Sequence, residues 1–286
     1  RYDTRATPRL YDALRRDFTM NALYCNAAGR IYDFTEGWRD IRRRAVIFVG
    51  DPMQRIAEDY LRILRFFRFH ARYGHGAPDA AGLDACRRMK AGLDGLSAER
   101  IRQEMFKLMA APGAVPTLKL MAEEGILQHL LPHTDDWRVL ERLPPEPLLR
   151  LAVLAKHPLE MQDRWRLSNH EGKRLEAIVS QVPPSPWLRP REQRAVLYQI
   201  GPEAWRDLVR IGRAGSDGTV ADAEWQELLT LPDRWPLPVL PVSGRDLLLA
   251  GMSPGPEIGV MLRKLEDWWV ASDFQPSRDD LLKRLT

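Results

Sequence analysis

Two short runs, 22–26 and 30–34, alternate between apolar and polar positions around Ala27, Ala28 and Gly29. That period of two about a glycine-bearing turn predicts a β-hairpin. A short helix over 38–44 and a strand over 46–49 are expected to follow. After Asp51 and Pro52 the pattern turns helical almost throughout, with helices predicted over 54–73, 79–90, 98–111 and 115–124. Pro132, Pro144-Pro145-Glu146-Pro147 and Pro183-Pro184-Ser185-Pro186 punctuate the chain further on, and a helical body is placed over 148–286. No fixed-period repeat or low-complexity tract stands out. The predicted fold is mostly α.

The densest chemistry lies at 58–69, EDYLRILRFFRF. In a continuous helix Glu58 would lie about 40° to one side of Arg62 and Asp59 about 60° to the other, all on one face. A carboxylate beside a guanidinium offers an acceptor next to donors, which complements adenine or cytosine: an amino group beside a ring nitrogen that only accepts. Guanine and uracil present the opposite pattern. Arg65, Arg68 and Arg72 extend a cationic stripe suited to phosphate oxygens, while Ile63, Leu64 and Phe67 point elsewhere. Taken alone, the acidic pair before Arg62 is an ordinary helix-surface pair worth a few tenths of a kcal/mol, of order 0.5.

About forty residues upstream stands Arg15-Arg16-Asp17-Phe18-Thr19, followed by Asn21-Ala22-Leu23. With the later segment it resembles the class II tRNA nucleotidyltransferases, the CCA-adding enzymes and their bacterial poly(A) polymerase relatives, whose motifs read RRDFTxNAL and EDxxRxxRxxRF. The resemblance continues through Tyr32-Asp33-Phe34, Gly50-Asp51-Pro52 and, weakly, Leu96-Ser97-Ala98-Glu99-Arg100-Ile101. Near the far end Gly244-Arg245-Asp246-Leu247 and Gly255-Pro256-Glu257-Ile258-Gly259 are similar to the tail of the CCA-adding branch.

The resemblance implies the end of an α/β nucleotidyltransferase head over 1–50, a helical neck with a nucleotide-selecting helix over 51–140, and a helical, tRNA-binding body and tail over 141–286. It implies that Arg15, Arg16 and Asp17 hold the ribose and triphosphate, with Asn21 supporting their turn. Asp59 and Arg62 would pair with the base edge, Glu58 would orient Arg62, and Arg65 and Arg68 would reach the phosphates. The implied reaction transfers CMP and AMP from CTP and ATP to the tRNA 3′ end, with magnesium as cofactor. Poly(A) polymerase activity is the close alternative, because the nucleotide motifs are shared. A non-catalytic RNA-binding remnant is the alternative of another class, because the family's glycine-rich first motif and its Asp-x-Asp pair are absent here. No residue of this chain is therefore assigned a catalytic or metal-holding role. The chain is expected to start after the first motif, where the magnesium carboxylates belong.

Composition narrows the class further. The 286 residues are 44% hydrophobic and 29% charged, enough to bury substantial cores. No apolar run approaches a membrane span, and charges at Arg1, Asp3 and Arg5 do not resemble a signal segment, so the cytoplasm is the expected compartment. Cys25 and Cys86 make no CxxC pair and are read as reduced thiols. Residues 1–100 hold 19 basic and 13 acidic side chains, whereas the rest hold 24 and 26, so the nucleotide-facing part is the basic part. The six histidines show no HExxH spacing, Asp135-Asp136 is read as a solvated turn, and the tryptophans are read mostly as core anchors.

Overall fold

The computed structural model describes residues 7–285; Arg1, Asp3 and Arg5 lie outside the described residues. It is mostly helical, and it divides into two units between Val179 and Ser180. The first unit opens with α1 (Thr7–Leu14) and then the hairpin strands β1 (Tyr24–Cys25) and β2 (Ile31–Tyr32), which pair antiparallel with Tyr24 opposite Tyr32. Asn26 closes the turn, its side-chain oxygen accepting from the N–H of Ala28 at 3.1 Å and of Arg30 at 2.8 Å. Helix α2 (Gly37–Arg43) follows. The strand expected over 46–49 shrinks to one antiparallel bridge between Phe18 and Phe48, flanked by Thr19 N–H to Ile47 O and Val49 N–H to Asp17 O. This stretch has a single short partner, and Gly50 turns the chain away at φ 75.

The helix predicted over 54–73 is two helices. Asp51 caps α3 (Pro52–Glu58), accepting from Gln54 N–H at 2.8 Å with Pro52 in the first turn. Asp59 then leaves the helical region at φ −159 and ψ 106, and its carboxylate accepts from Leu61 N–H at 3.1 Å to start α4 (Leu61–Tyr73). That side-chain bond gives the backbone an alternative to the helical ladder, which is why an aspartate breaks it here. The Tyr60 ring fixes the corner by packing against Gly92, where an added Cβ would lie 1.9 Å from it.

Helices α5 (Ala80–Met89), α6 (Ala98–Met109) and α7 (Ala114–Glu123) complete the framework around the site, with α3 packed on α5 and α4 packed on α6 and α7. The apolar face of α4 buries Ile63, Leu64, Phe66 and Phe67. Phe18, fully buried, joins it to the head segment: its ring centroid lies 5.0 Å from Phe48 and 4.9 Å from Phe69. Five further helices end this unit: α8 (Leu127–Leu130), α9 (Trp137–Arg142), α10 (Pro147–Leu154), α11 (Met161–Arg164) and α12 (Asn169–Val179). Trp165 is buried among them.

The second unit holds α13 (Pro190–Gly215), α14 (Asp222–Arg234), α15 (Gly244–Leu249), α16 (Pro256–Ala271) and α17 (Arg278–Leu282). Helix α13 kinks at Gly201, φ 79, just before Pro202. One core gathers Leu197, Trp205, Val209, Trp225 and Leu228, and another gathers Val242, Leu247, Leu265, Trp269 and Leu281. The tryptophans thus anchor cores here, with Trp187 an exposed exception at 72%.

Gly37 is where α2 meets the head segment most closely, since an added Cβ would lie 2.0 Å from the Thr19 carbonyl oxygen. Backbone on both sides leaves no flexible group to give way. Gly37→Ala is therefore expected to cost about 1–3 kcal/mol of stability, read as a lowered urea midpoint; an unchanged midpoint would show that the two backbones can part freely here.

Candidate functional site

The extended segment before Thr19 and the first turns of α4 face each other, and their charges meet. Asp17, whose side chain is 13% exposed, accepts from Arg62 Nε at 3.0 Å through one carboxylate oxygen and from Arg65 through the other. Arg62 Nη1 also donates to Glu58 and to the Arg55 carbonyl, the latter at 2.6 Å. Among the described residues its Nη2 makes no hydrogen bond. Burial works against the Arg62 charge, but Glu58 and Asp17 outweigh it and hold the guanidinium more firmly protonated. Arg68 donates to Glu104, a buried carboxylate on α6 that Arg65 also approaches at 4.0 Å.

Asp59 does not share a helix face with Arg62, as a continuous helix would require. The break turns its carboxylate to Arg100 on α6, at 2.7 Å from Nη2. Glu58, at the end of α3, still reaches Arg62, so the structure brings Glu58, Arg62, Arg65 and Asp17 together and sets Asp59 at their edge. Arg15 and Arg16 are exposed and pair with Asp12 of α1, which also accepts from the Tyr24 hydroxyl. Asn21 accepts from Phe18 N–H at 3.3 Å, closing the turn below them.

Three residues were missed by sequence reasoning. Arg55 is buried, and its guanidinium donates to the carbonyls of Arg15 and Arg16 and to Glu58. It clasps the head segment to α3. Glu104 and Arg100 complete the charges around Arg68 and Asp59. Their sequence signals are weak: Arg100 falls in the run 96–101 of the resemblance, and Glu104 lies one helical turn beyond it on α6. Arg55 carried no motif.

The site is a cationic clasp. Outward-facing guanidinium N–H groups held by carboxylates behind them suit phosphate oxygens and the acceptors of a base edge. Among the described residues no three His, Cys, Asp or Glu side chains converge to hold a metal ion. No helix among the described residues is long and apolar enough to cross a membrane.

Residues 4–47 match a family model described as "Poly A polymerase head domain", and residues 79–138 match one described as "Probable RNA and SrmB- binding site of polymerase A". The chain is 32% identical over 295 residues to the mitochondrial CCA tRNA nucleotidyltransferase 1 of Danio rerio, covering 96% of this chain and 66% of that one. It is 28% identical to the CCA-adding enzyme of Leuconostoc mesenteroides, over 95% of this chain and 70% of that one. The CCA-adding enzyme of Bacillus stearothermophilus, solved in complex with CTP, superposes with a TM-score of 0.76 at 26% identity, over 93% of this chain and 70% of that one. The chain belongs to the class II tRNA nucleotidyltransferase and poly(A) polymerase family. It spans about two thirds of the length of the curated relatives it matches.

Arg62, then Arg55, hold the Glu58 carboxyl below its ordinary 4.5. The stabilisation from the ionised group is complete above that value and disappears as pH falls through the lowered one. Glu58 is 42% exposed, so Glu58→Gln is expected to cost under about 1 kcal/mol at pH 7. Urea midpoints of the two proteins should converge as the pH drops below 4.5; a gap that stays constant would exclude the ionised pair as its source.

Proposed function

We propose that the protein works as a CCA-adding tRNA nucleotidyltransferase, with tRNA, CTP and ATP as its partners. The observation that carries this reading is Arg62, gripped by Asp17 and Glu58 with one guanidinium nitrogen left over. In the proposal that nitrogen donates to the base's ring nitrogen, and Asp59 accepts from the exocyclic amino group after exchanging its pair with Arg100. That pair is half-exposed on the Arg100 side, so giving it up costs of order 1 kcal/mol or less. Cytosine and adenine satisfy both groups; guanine and uracil leave them opposed like to like.

Arg15 and Arg16 take the triphosphate and ribose, Arg65 and Arg68 reach the phosphates, and Asn21 keeps the segment's turn. Asp17 acts through Arg62 and Arg65, aligning both. The reaction assigned to the intact protein is attack of the tRNA 3′ hydroxyl on the α-phosphate, with pyrophosphate leaving. Magnesium, where it binds, would supply charge stabilisation at the transferring phosphate, and the residues of this chain serve selection and positioning. We keep 1–50, 51–140 and 141–286 as head, neck and body in function, the cytoplasm as compartment, and tRNA recognition by shape and backbone as the work of the body.

The family descriptions name poly(A) polymerase, which favours that activity as the second reading. Supplying the intact protein with ATP alone separates the two: a long A tract would favour poly(A) addition, and a single adenosine on tRNA ending in CC favours CCA addition. Selection itself is tested by calorimetric titration of the four nucleoside triphosphates. CTP and ATP are expected to bind at least ten-fold tighter than GTP and UTP, and Asp59→Ala and Arg62→Ala are each expected to abolish that preference. Unchanged discrimination in both variants would sink the proposed template.

A further inference from the structure

A cleft of about 1130 Å³ opens at the far end of α4, between the end of α2, the α4–α5 turn and the start of α7. Its charged lining is one-sided. Arg44, Arg72, His70 and His75 line it, and no aspartate or glutamate does. Neither arginine makes an ion pair among the described residues, and both are exposed. This sets Arg72 apart from its neighbours on the stripe, because Arg62 and Arg65 are held by Asp17 and Arg68 by Glu104. Phe69 and Tyr73 add aromatic faces, their ring centroids 5.6 Å apart, and Tyr73 is 50% exposed.

Two close approaches shape the cleft. The His70 ring lies against Gly74, where an added Cβ would meet Nδ1 at 2.4 Å, and the His75 N–H donates to the Arg44 carbonyl at 3.1 Å. The first sets the floor, and the second ties the end of α2 to the α4–α5 turn. Phe69, like Asn21, is common to both sites. On one side the Arg68 guanidinium stacks over it at 4.5 Å; on the other it faces the cleft.

We propose that this cleft binds an unpaired RNA segment, with Arg44 and Arg72 on successive phosphates and Tyr73 stacked on a base. The inference rests on the nucleotide-handling function proposed above. An anion is called for by cations without carboxylates, and a polynucleotide rather than a peptide by the exposed aromatic ring among them. The nucleotide held at Arg62 is not itself the occupant, by reach: Arg72 stands ten residues beyond Arg62, about 15 Å along the helix. The cleft is therefore a separate site, contiguous with the first through Phe69.

The test is fluorescence anisotropy of the chain with a labelled single-stranded oligoribonucleotide ending in CC, over a range of salt, with calorimetric titration of CTP in parallel. Arg44→Gln with Arg72→Gln is expected to weaken RNA binding ten-fold or more and to lower the slope of log affinity against log salt by about 1.4, roughly 0.7 for each phosphate no longer neutralised. Tyr73→Ala, which keeps the charges, is expected to weaken it about five-fold or more. CTP affinity should stay within two-fold in all variants. RNA affinity unchanged in both variants, with CTP binding intact, overturns the cleft alone. Loss of CTP binding with RNA retained makes the cleft a mononucleotide phosphate site and likewise overturns it. Wild-type protein that binds all four triphosphates alike fails the proposed function instead, and leaves the RNA measurement to stand on its own.

Discussion

Asp17 and Phe18 face opposite ways from one extended stretch, and the site depends on that alternation. Successive side chains of an extended chain point to opposite sides, so one residue delivers a carboxylate to α4 while the next delivers a ring to the core. The two do different physical work. Ion pairs as enclosed as Asp17 with Arg62 contribute little net stability, because desolvation offsets most of the attraction. Phe18, packed on Phe48, Phe66 and Phe69, supplies the burial that holds the segment in place. The aromatic cluster fixes where the segment lies, and the charges fix which arginines it aligns.

Arg55 adds a second tie of another kind. Its guanidinium bonds two consecutive backbone carbonyls, those of Arg15 and Arg16, so the exposed arginines are carried on a backbone that is itself held. Long side chains lose rotamer freedom when they bind an anion, and a fixed backbone keeps that cost to the side chains alone. The break at Asp59 contributes in the same sense. It ends α3 with Glu58 aimed at Arg62 and begins α4 with Arg62 in its first turn, so Arg62 meets three acceptors from two segments, the Asp17 stretch and α3.

Much of this was legible in the sequence, and the remainder shows what periodicity omits. Spacings of three and four located α5, α6 and α7 to within two residues, since those helices have clean apolar faces and, at Asp79, a capping side chain. The hairpin followed from alternation about Gly29. The break at Asp59 was not legible, because Glu58 to Arg62 fits an uninterrupted helix equally well; only the cap on Leu61 and the Tyr60 ring against Gly92 decide otherwise. Strand 46–49 failed for the converse reason: its residues suit a strand, but a strand needs partners, and Phe18 offers one bridge. Arg55 and Glu104 were invisible as site residues because their partners lie 39 and 36 positions away.

The arginine stripe of α4 shows how far helical spacing carries an argument about function. Arg62, Arg65, Arg68 and Arg72 follow one another at intervals of three and four, and periodicity assigns them one face and one role. Their environments differ because the elements packed on that face differ along its length. The Asp17 segment covers the first turns, Glu104 of α6 covers the next, and no carboxylate lines the cleft at the last. A cation with a carboxylate behind it is oriented, and it offers its remaining donors in a fixed direction, which suits reading a base. A cation without one is free to follow a moving phosphate backbone, which suits holding a strand while the next nucleotide is chosen. In the proposed reading one helix thus divides selection from retention along its axis, with Phe69 between the two.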